Sequence, residues 1–121
     1  MLKKSLNQIP SFVAGDKTII KEFIHPNNDP DADPHYSLAH ATIEIEEASE
    51  PHILHNNSEL YIILSGEGEI HIGKEVSILR GGDAALVPKG VLQWVKNIGK
   101  TPLRFYVIVS PPWQAEDEEV Q

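Results

Sequence analysis

His52-Ile53-Leu54-His55-Asn56-Asn57-Ser58-Glu59-Leu60-Tyr61, running on through an apolar stretch to Gly66, decides how this chain reads. Two imidazoles and a carboxylate flank a short polar loop, after which the sequence turns apolar as a strand does. A second stretch is of the same kind: Gly82-Asp83, the apolar residues 84–87, Pro88-Lys89-Gly90, then Gln93 and Asn97. Gly82 tolerates a positive φ that strains other residues. Pro88 fixes φ and closes a strand without needing a ladder hydrogen bond. Asn97 with Gly99 suits a turn into the next segment.

Outward from these stretches, segment after segment reads as a short strand closed by turn residues. Residues 18–24 are β-branched and apolar, and a breaker-rich run, 25–34, follows. Residues 38–45 alternate, 60–64 stop at Ser65-Gly66, and 67–73 set Ile70 and Ile72 against Glu69 and His71. Further strands are expected at 76–79, 84–87, 92–95 and 103–109, the last stopped by Pro111-Pro112. Period-two patterning with regular turns predicts an all-β antiparallel sandwich or barrel. A jelly roll or closed barrel also disposes of the edge strands. The expected organisation is an N-terminal arm or short helix (1–17), one β-barrel domain (18–113) and a mobile acidic tail (114–121).

Composition narrows the function. A chain of 121 residues suits one domain, and 40% hydrophobic residues suffice for a core. Ten basic against 18 acidic residues give a formal charge of −8, which disfavours nucleic acid and anionic membranes as partners. There is no cysteine, hence no disulfide or thiolate chemistry. No apolar run is long enough to cross a bilayer, and no apolar segment of signal-peptide type follows Met1-Leu2-Lys3-Lys4. A cytoplasmic address is the default expectation.

The two stretches, in this order and separation, resemble the paired motifs of the cupin superfamily over roughly residues 37–113. That resemblance implies a double-stranded β-helix (jelly-roll) barrel with one divalent transition metal, Mn, Fe, Ni or Zn, near its mouth. The implied ligands are His55, Glu59 and Gln93. The family pattern has a His where Ile53 stands and another where Gln93 stands. Residues two apart on a regular strand share a face, so 53 and 55 are expected to point inward and His52 outward. His52 becomes a fourth ligand if a β-bulge turns it inward. Gln93 offers a neutral amide oxygen, better suited to harder ions, or serves as a hydrogen-bonding residue inside the barrel.

A small-molecule ligand is implied: an organic acid, carbonyl or sugar derivative, bound at open metal positions and isomerised, decarboxylated, cleaved or dioxygenated. Tyr61 and Tyr36 are candidate acid–base groups. The alternative is a non-catalytic barrel that binds a carbohydrate-like molecule, its metal site degraded through Ile53 and Gln93. His40 is a reserve ligand, while His71 is expected to face water. Trp94 should point away from Gln93, and Trp113 should cap the barrel. Either Trp suits the dimer interface common in this family, so a homodimer is expected. Asp29, Asp31 and Asp33 mimic the start of a calcium loop, but Pro34 and His40 stand where Gly and Glu are needed.

Overall fold

The computed structural model describes residues 1–121. Its strands are β1 (Phe12–Val13), β2 (Ile19–Ile24), β3 (Ser37–Ile43), β4 (His52–Leu54), β5 (Ser58–Ser65), β6 (Glu67–Ile72), β7 (Glu75–Arg80), β8 (Ala84–Val87), β9 (Gln93–Asn97), β10 (Leu103–Ser110) and β11 (Glu118–Val120). They form two antiparallel sheets, ordered β1-β2-β3-β10-β5-β8 and β11-β4-β9-β6-β7, wound as a double-stranded β-helix. No helix is long and apolar enough to cross a membrane.

Alternation in the sequence is alternation in burial. On β10, Leu103, Phe105, Val107 and Val109 are buried, while Arg104, Tyr106 and Ile108 face outward. On β5, Glu59, Tyr61 and Ile63 point inward, so the strand that delivers core residues also delivers a carboxylate and a phenol. The interior is packed by eleven residues, among them Ile43, Ile63, Ile70, Val95 and Phe105. Burying an aliphatic or aromatic side chain of this size is worth about 1.5–3 kcal/mol.

The turn between β5 and β6 requires glycine. Gly66 has φ +90°, and a Cβ there would lie 2.9 Å from the Pro102 carbonyl oxygen. The turn before β10 depends on the buried Asn97. Its amide donates to the carbonyls of Ile43 (3.1 Å) and Thr101 (2.9 Å), and its oxygen accepts from the Gly99 N–H (2.9 Å).

The ends of the chain differ from expectation. The N-terminal segment contains only a single 3-10 turn, Leu6–Gln8, and then β1, which pairs with β2. The acidic tail, expected to be mobile, forms β11 and pairs with β4 through Glu118↔Leu54, Glu119↔Ile53 and Val120↔His52. It is anchored because Trp113 is held at both backbone groups. Its N–H donates to Ser37 Oγ (3.0 Å), and its carbonyl accepts from His25 Nε2 (2.8 Å). A tail fixed at its root needs little further entropy loss to add an edge strand.

Asn97→Ala removes three hydrogen bonds, one buried and two part-buried, and leaves two carbonyls and one N–H without that partner. It is expected to cost about 2–4 kcal/mol, read as a lower urea midpoint at unchanged slope.

Candidate metal and ligand site

Strand β4 decides the site, and its facing is the reverse of the sequence expectation. His52 and Leu54 are buried, at 3% and 2% exposure, whereas Ile53 lies on the outer face and His55 is exposed. Ordinary alternation produces this without a bulge. The strand ends at Leu54, and the residues before β5 absorb the offset. His55 Nε2 lies 3.8 Å from Glu119 Oε1 on the outer side of the neighbouring strand. The structure therefore brings His52 to Glu59 and keeps His55 apart from them.

His52 sits among acids. Its Nδ1–H donates to the Glu50 carbonyl (2.8 Å), which leaves Nε2 as the lone-pair nitrogen of the neutral ring. Nε2 is 3.9 Å from Glu59 Oε1, and Nδ1 is 3.7 Å from Asp16 Oδ2. Glu59 Oε1 is buried and has no hydrogen-bond partner. Donor atoms of Asp16, His52 and Glu118 all lie within 4.8 Å of one another.

Asp16 comes from the β1–β2 turn. Thr18 holds its Oδ1 through the backbone N–H (3.1 Å) and the hydroxyl (2.7 Å). Glu118 comes from β11, where its Oε2 accepts from the Trp113 indole N–H (3.2 Å). Sequence reading missed both acids, having assigned Asp16 to an arm and Glu118 to a solvated tail. The turn signal Gly15-Asp16-Lys17-Thr18 between two apolar pairs was the clue to the first. Nothing local distinguishes Glu118 from its acidic neighbours.

Gln93 is the cross-strand partner of His52 and is 1% exposed. Its amide oxygen accepts from the Tyr61 hydroxyl at 2.5 Å. Tyr61 also stacks on Phe105, ring centroids 5.3 Å apart. Of the reserve residues, His40 lies on the opposite face of β3 from the pocket, edge-on to Tyr106 at 5.5 Å. Burial and the charges of Arg104 and Lys21 lower its pKa. Tyr36 is exposed ahead of β3. His71 and Trp94 stack on each other at 3.7 Å, on the side of their strands opposite Gln93 and Ile72.

Burial opposes charge on His52, but Glu59, the Glu50 carbonyl and Asp16 outweigh it and raise the imidazole to about 9. Burial, reinforced by Asp16, raises the Glu118 carboxyl. Burial and the charges of Glu59 and Asp16 push the Tyr61 phenol well up, so it stays a neutral donor. A cavity of about 210 Å³ opens from this cluster between the sheets, and fourteen of its 23 lining residues are hydrophobic.

Comparison with known proteins places this geometry. Residues 39–109 match the cupin domain family. The chain is a cupin. This cupin is 28% identical over 120 residues to an uncharacterized protein of Methanocaldococcus jannaschii, covering 99% of this chain and 94% of that protein. It is 34% identical over 67 residues to the xanthan biosynthesis protein XanB of Xanthomonas campestris, covering 55% of this chain but 14% of that protein. In fold it resembles the oxalate decarboxylase of Lactobacillus farciminis, solved as a formate complex. The TM-score is 0.81 at 18% identity, over 95% of this chain and 34% of that one. Cupins commonly bind a divalent metal, and the cluster of Asp16, His52 and Glu118 is a candidate site for one. An imidazole, carboxylates and an unpartnered buried oxygen are donors that fit such an ion.

In metal-free protein His52 is protonated near neutral pH. Its folded pKa, about 9, lies above the ordinary 6.5, so the stabilisation is complete below about pH 6.5 and lost as pH rises through about 9. Chelator-treated protein should lose up to about 3 kcal/mol of stability from His52 between pH 6.5 and 10. A His52→Asn variant should show a flat profile over the same range in urea titrations.

Proposed function

We propose that this cupin holds one divalent metal ion through His52, Asp16 and Glu118, with Glu59 beside it. We propose further that it acts as a metal-dependent enzyme on a small organic acid, carbonyl or sugar-derived substrate. The observation that carries this reading is Glu59 Oε1, a buried carboxylate oxygen with no hydrogen bond, 3.9 Å from His52 Nε2. Burying a carboxylate oxygen without a hydrogen bond is costly, and an ion at this point would satisfy it more closely than the His52 ring 3.9 Å away. Of the ligands inferred from sequence, His52 and Glu59 support the reading. Gln93 acts one step back, its oxygen engaged by Tyr61, and His55 has its polar partner on the outer face.

Once bound, such an ion supplies Lewis-acid polarisation of a substrate oxygen and a template for orienting it. The chain supplies the rest. The Glu50 carbonyl fixes the tautomer of His52. Glu59, buried and next to the donor atoms, is suited to take or return a proton. The Tyr61 hydroxyl keeps its proton and holds Gln93. The apolar lining keeps bulk water from the reacting atoms. The fold likeness to an oxalate decarboxylase suggests isomerase, decarboxylase, lyase or dioxygenase chemistry on small acids. The similarity to a xanthan biosynthesis protein supports sugar-derived ligands.

One observation favours a second reading, a non-catalytic binding barrel. Leu54 occupies the inward position next to His52, and Tyr61 already engages the Gln93 oxygen, so imidazole is scarce. Elemental analysis of untagged protein prepared without chelator separates the two. The enzyme reading expects about one Mn, Fe, Ni or Zn per chain, with affinity down at least roughly tenfold in His52→Ala and in Glu118→Gln. A metal at a hundredfold excess over its Kd should add about 2.7 kcal/mol of stability. Metal-free protein whose melting does not respond to these ions supports the binding barrel and overturns the metal.

A further inference from the structure

The outer faces of the two sheets carry different chemistry. On the five-stranded sheet, charges alternate with apolar side chains and pair across strands. Glu69 stands opposite Lys96, Glu67 lies 3.4 Å from Arg80, and His71, stacked on Trp94, lies 2.7 Å from Glu69. That is how one face of an antiparallel sheet is adapted to water.

The six-stranded sheet lacks this pattern. Facing outward, Leu86, Leu60, Ile108, Leu38 and Ile24 stand opposite one another across β8, β5, β10, β3 and β2. The adjoining row is Ala84, Ile62, Tyr106 and His40. Phe23 packs edge-on to Tyr106, ring centroids 5.7 Å apart, and Leu64 extends the patch along β5. Leu86 is 60% exposed and Leu64 44%. No outward residue of these five strands is Asp or Glu, since Glu22 and Glu59 line the cavity. The cations sit toward the margin. Lys21 on β2 donates to the Leu6 carbonyl (3.0 Å), and Arg104 is exposed near the start of β10. Burial, with Arg104 and Lys21 close by, lowers the His40 pKa and keeps that ring uncharged near neutral pH. Residues 60–64 and 105–109 are thus apolar or aromatic on both faces of β5 and β10. Strands of that kind are ones covered on both sides.

We propose that a second copy of this chain covers this face, giving a two-fold symmetric dimer centred on β10. Charge selects the occupant. The chain carries −8, so two copies repel on most approaches, and this face brings no acid against an acid. Size agrees. Five strands about 4.8 Å apart, with eight residues of about 3.3 Å each in β5 and β10, span roughly 24 by 26 Å. That is about 600 Å² before side-chain relief, close to the roughly 800 Å² that each partner gives to a stable pair. The layout is also that of an interface, aliphatic with a tyrosine at the centre and Arg and Lys at the rim. Strand β10 is the middle one of the five, so a central two-fold axis sets Ile108 and Tyr106 against their own copies. Neither tryptophan is on this face: Trp94 belongs to the other sheet, and Trp113 lines the cavity. None of this depends on the metal.

Sedimentation equilibrium of the untagged chain tests the pairing, with an expected mass of twice 13.5 kDa at micromolar concentration. Leu64→Glu and Leu86→Glu change exposed positions and should keep the circular dichroism of the folded chain. Each should raise the dimer dissociation constant at least about tenfold. Val76→Glu and Ile78→Glu, on the outer face of the other sheet, should leave it unchanged. Hydroxyl-radical footprinting of the unsubstituted chain should show Ile62, Leu86 and Ile108 protected at high concentration and released on dilution, with Val76 and Ile78 reactive throughout. A monomer at micromolar concentration overturns the second copy as occupant. A dimer indifferent to both leucine substitutions, or one that protects Val76 and Ile78 instead, overturns the choice of face.

Discussion

A carboxylate inside an apolar sandwich needs compensation, and this barrel gathers Asp16, Glu59 and Glu118 around one imidazole. Burial drives the Glu118 carboxyl toward neutrality. In the metal-free state the protonated His52 is the principal answer to their charge. The Thr18 bonds to Asp16 and the Trp113 bond to Glu118 are lesser ones. One positive ring facing three acids is an incomplete match, and Glu59 Oε1 is left over. The remaining features of the site are arranged around that deficit.

Fold and site differ in how far they are written in local sequence. Period-two patterns at residues 60–64, 67–73 and 103–109 specified β5, β6 and β10, because burial of one sheet face is a local, repeating demand. Asn97 was legible for the same reason, since its bonds to Gly99 and Thr101 span only a few residues. Strand β4 was harder. It has three residues, too few for its own alternation to reveal which face is inward. Its facing is set by pairing with β9 and β11, and the loop to β5 hides the change of facing that turns His52 inward and His55 outward. The turn around Asp16 was legible, but the approach of Asp16 and Glu118 to His52 was not, because one lies 36 positions before it and the other 66 after it.

Gln93 shows how a departure from a family pattern is accommodated. It remains buried and paired with His52 across β4 and β9, so the strand positions are kept while the chemistry changes. Its amide oxygen takes the proton end of Tyr61, which itself is stacked on Phe105. A polar group in this position is satisfied within the core. Leu54, at the other inward position of β4, extends the apolar lining toward His52.

The residues that match the cupin domain run from 39 to 109, yet two of the three clustered donors, Asp16 and Glu118, lie outside them. The barrel thus furnishes a frame with a single imidazole, and the flanking segments bring most of the negative charge to it. In this architecture the scaffold and the reactivity can be inherited separately. Drift or exchange in a β1–β2 turn and a three-residue edge strand would change the charge around His52 while every strand of the common core stayed as it is.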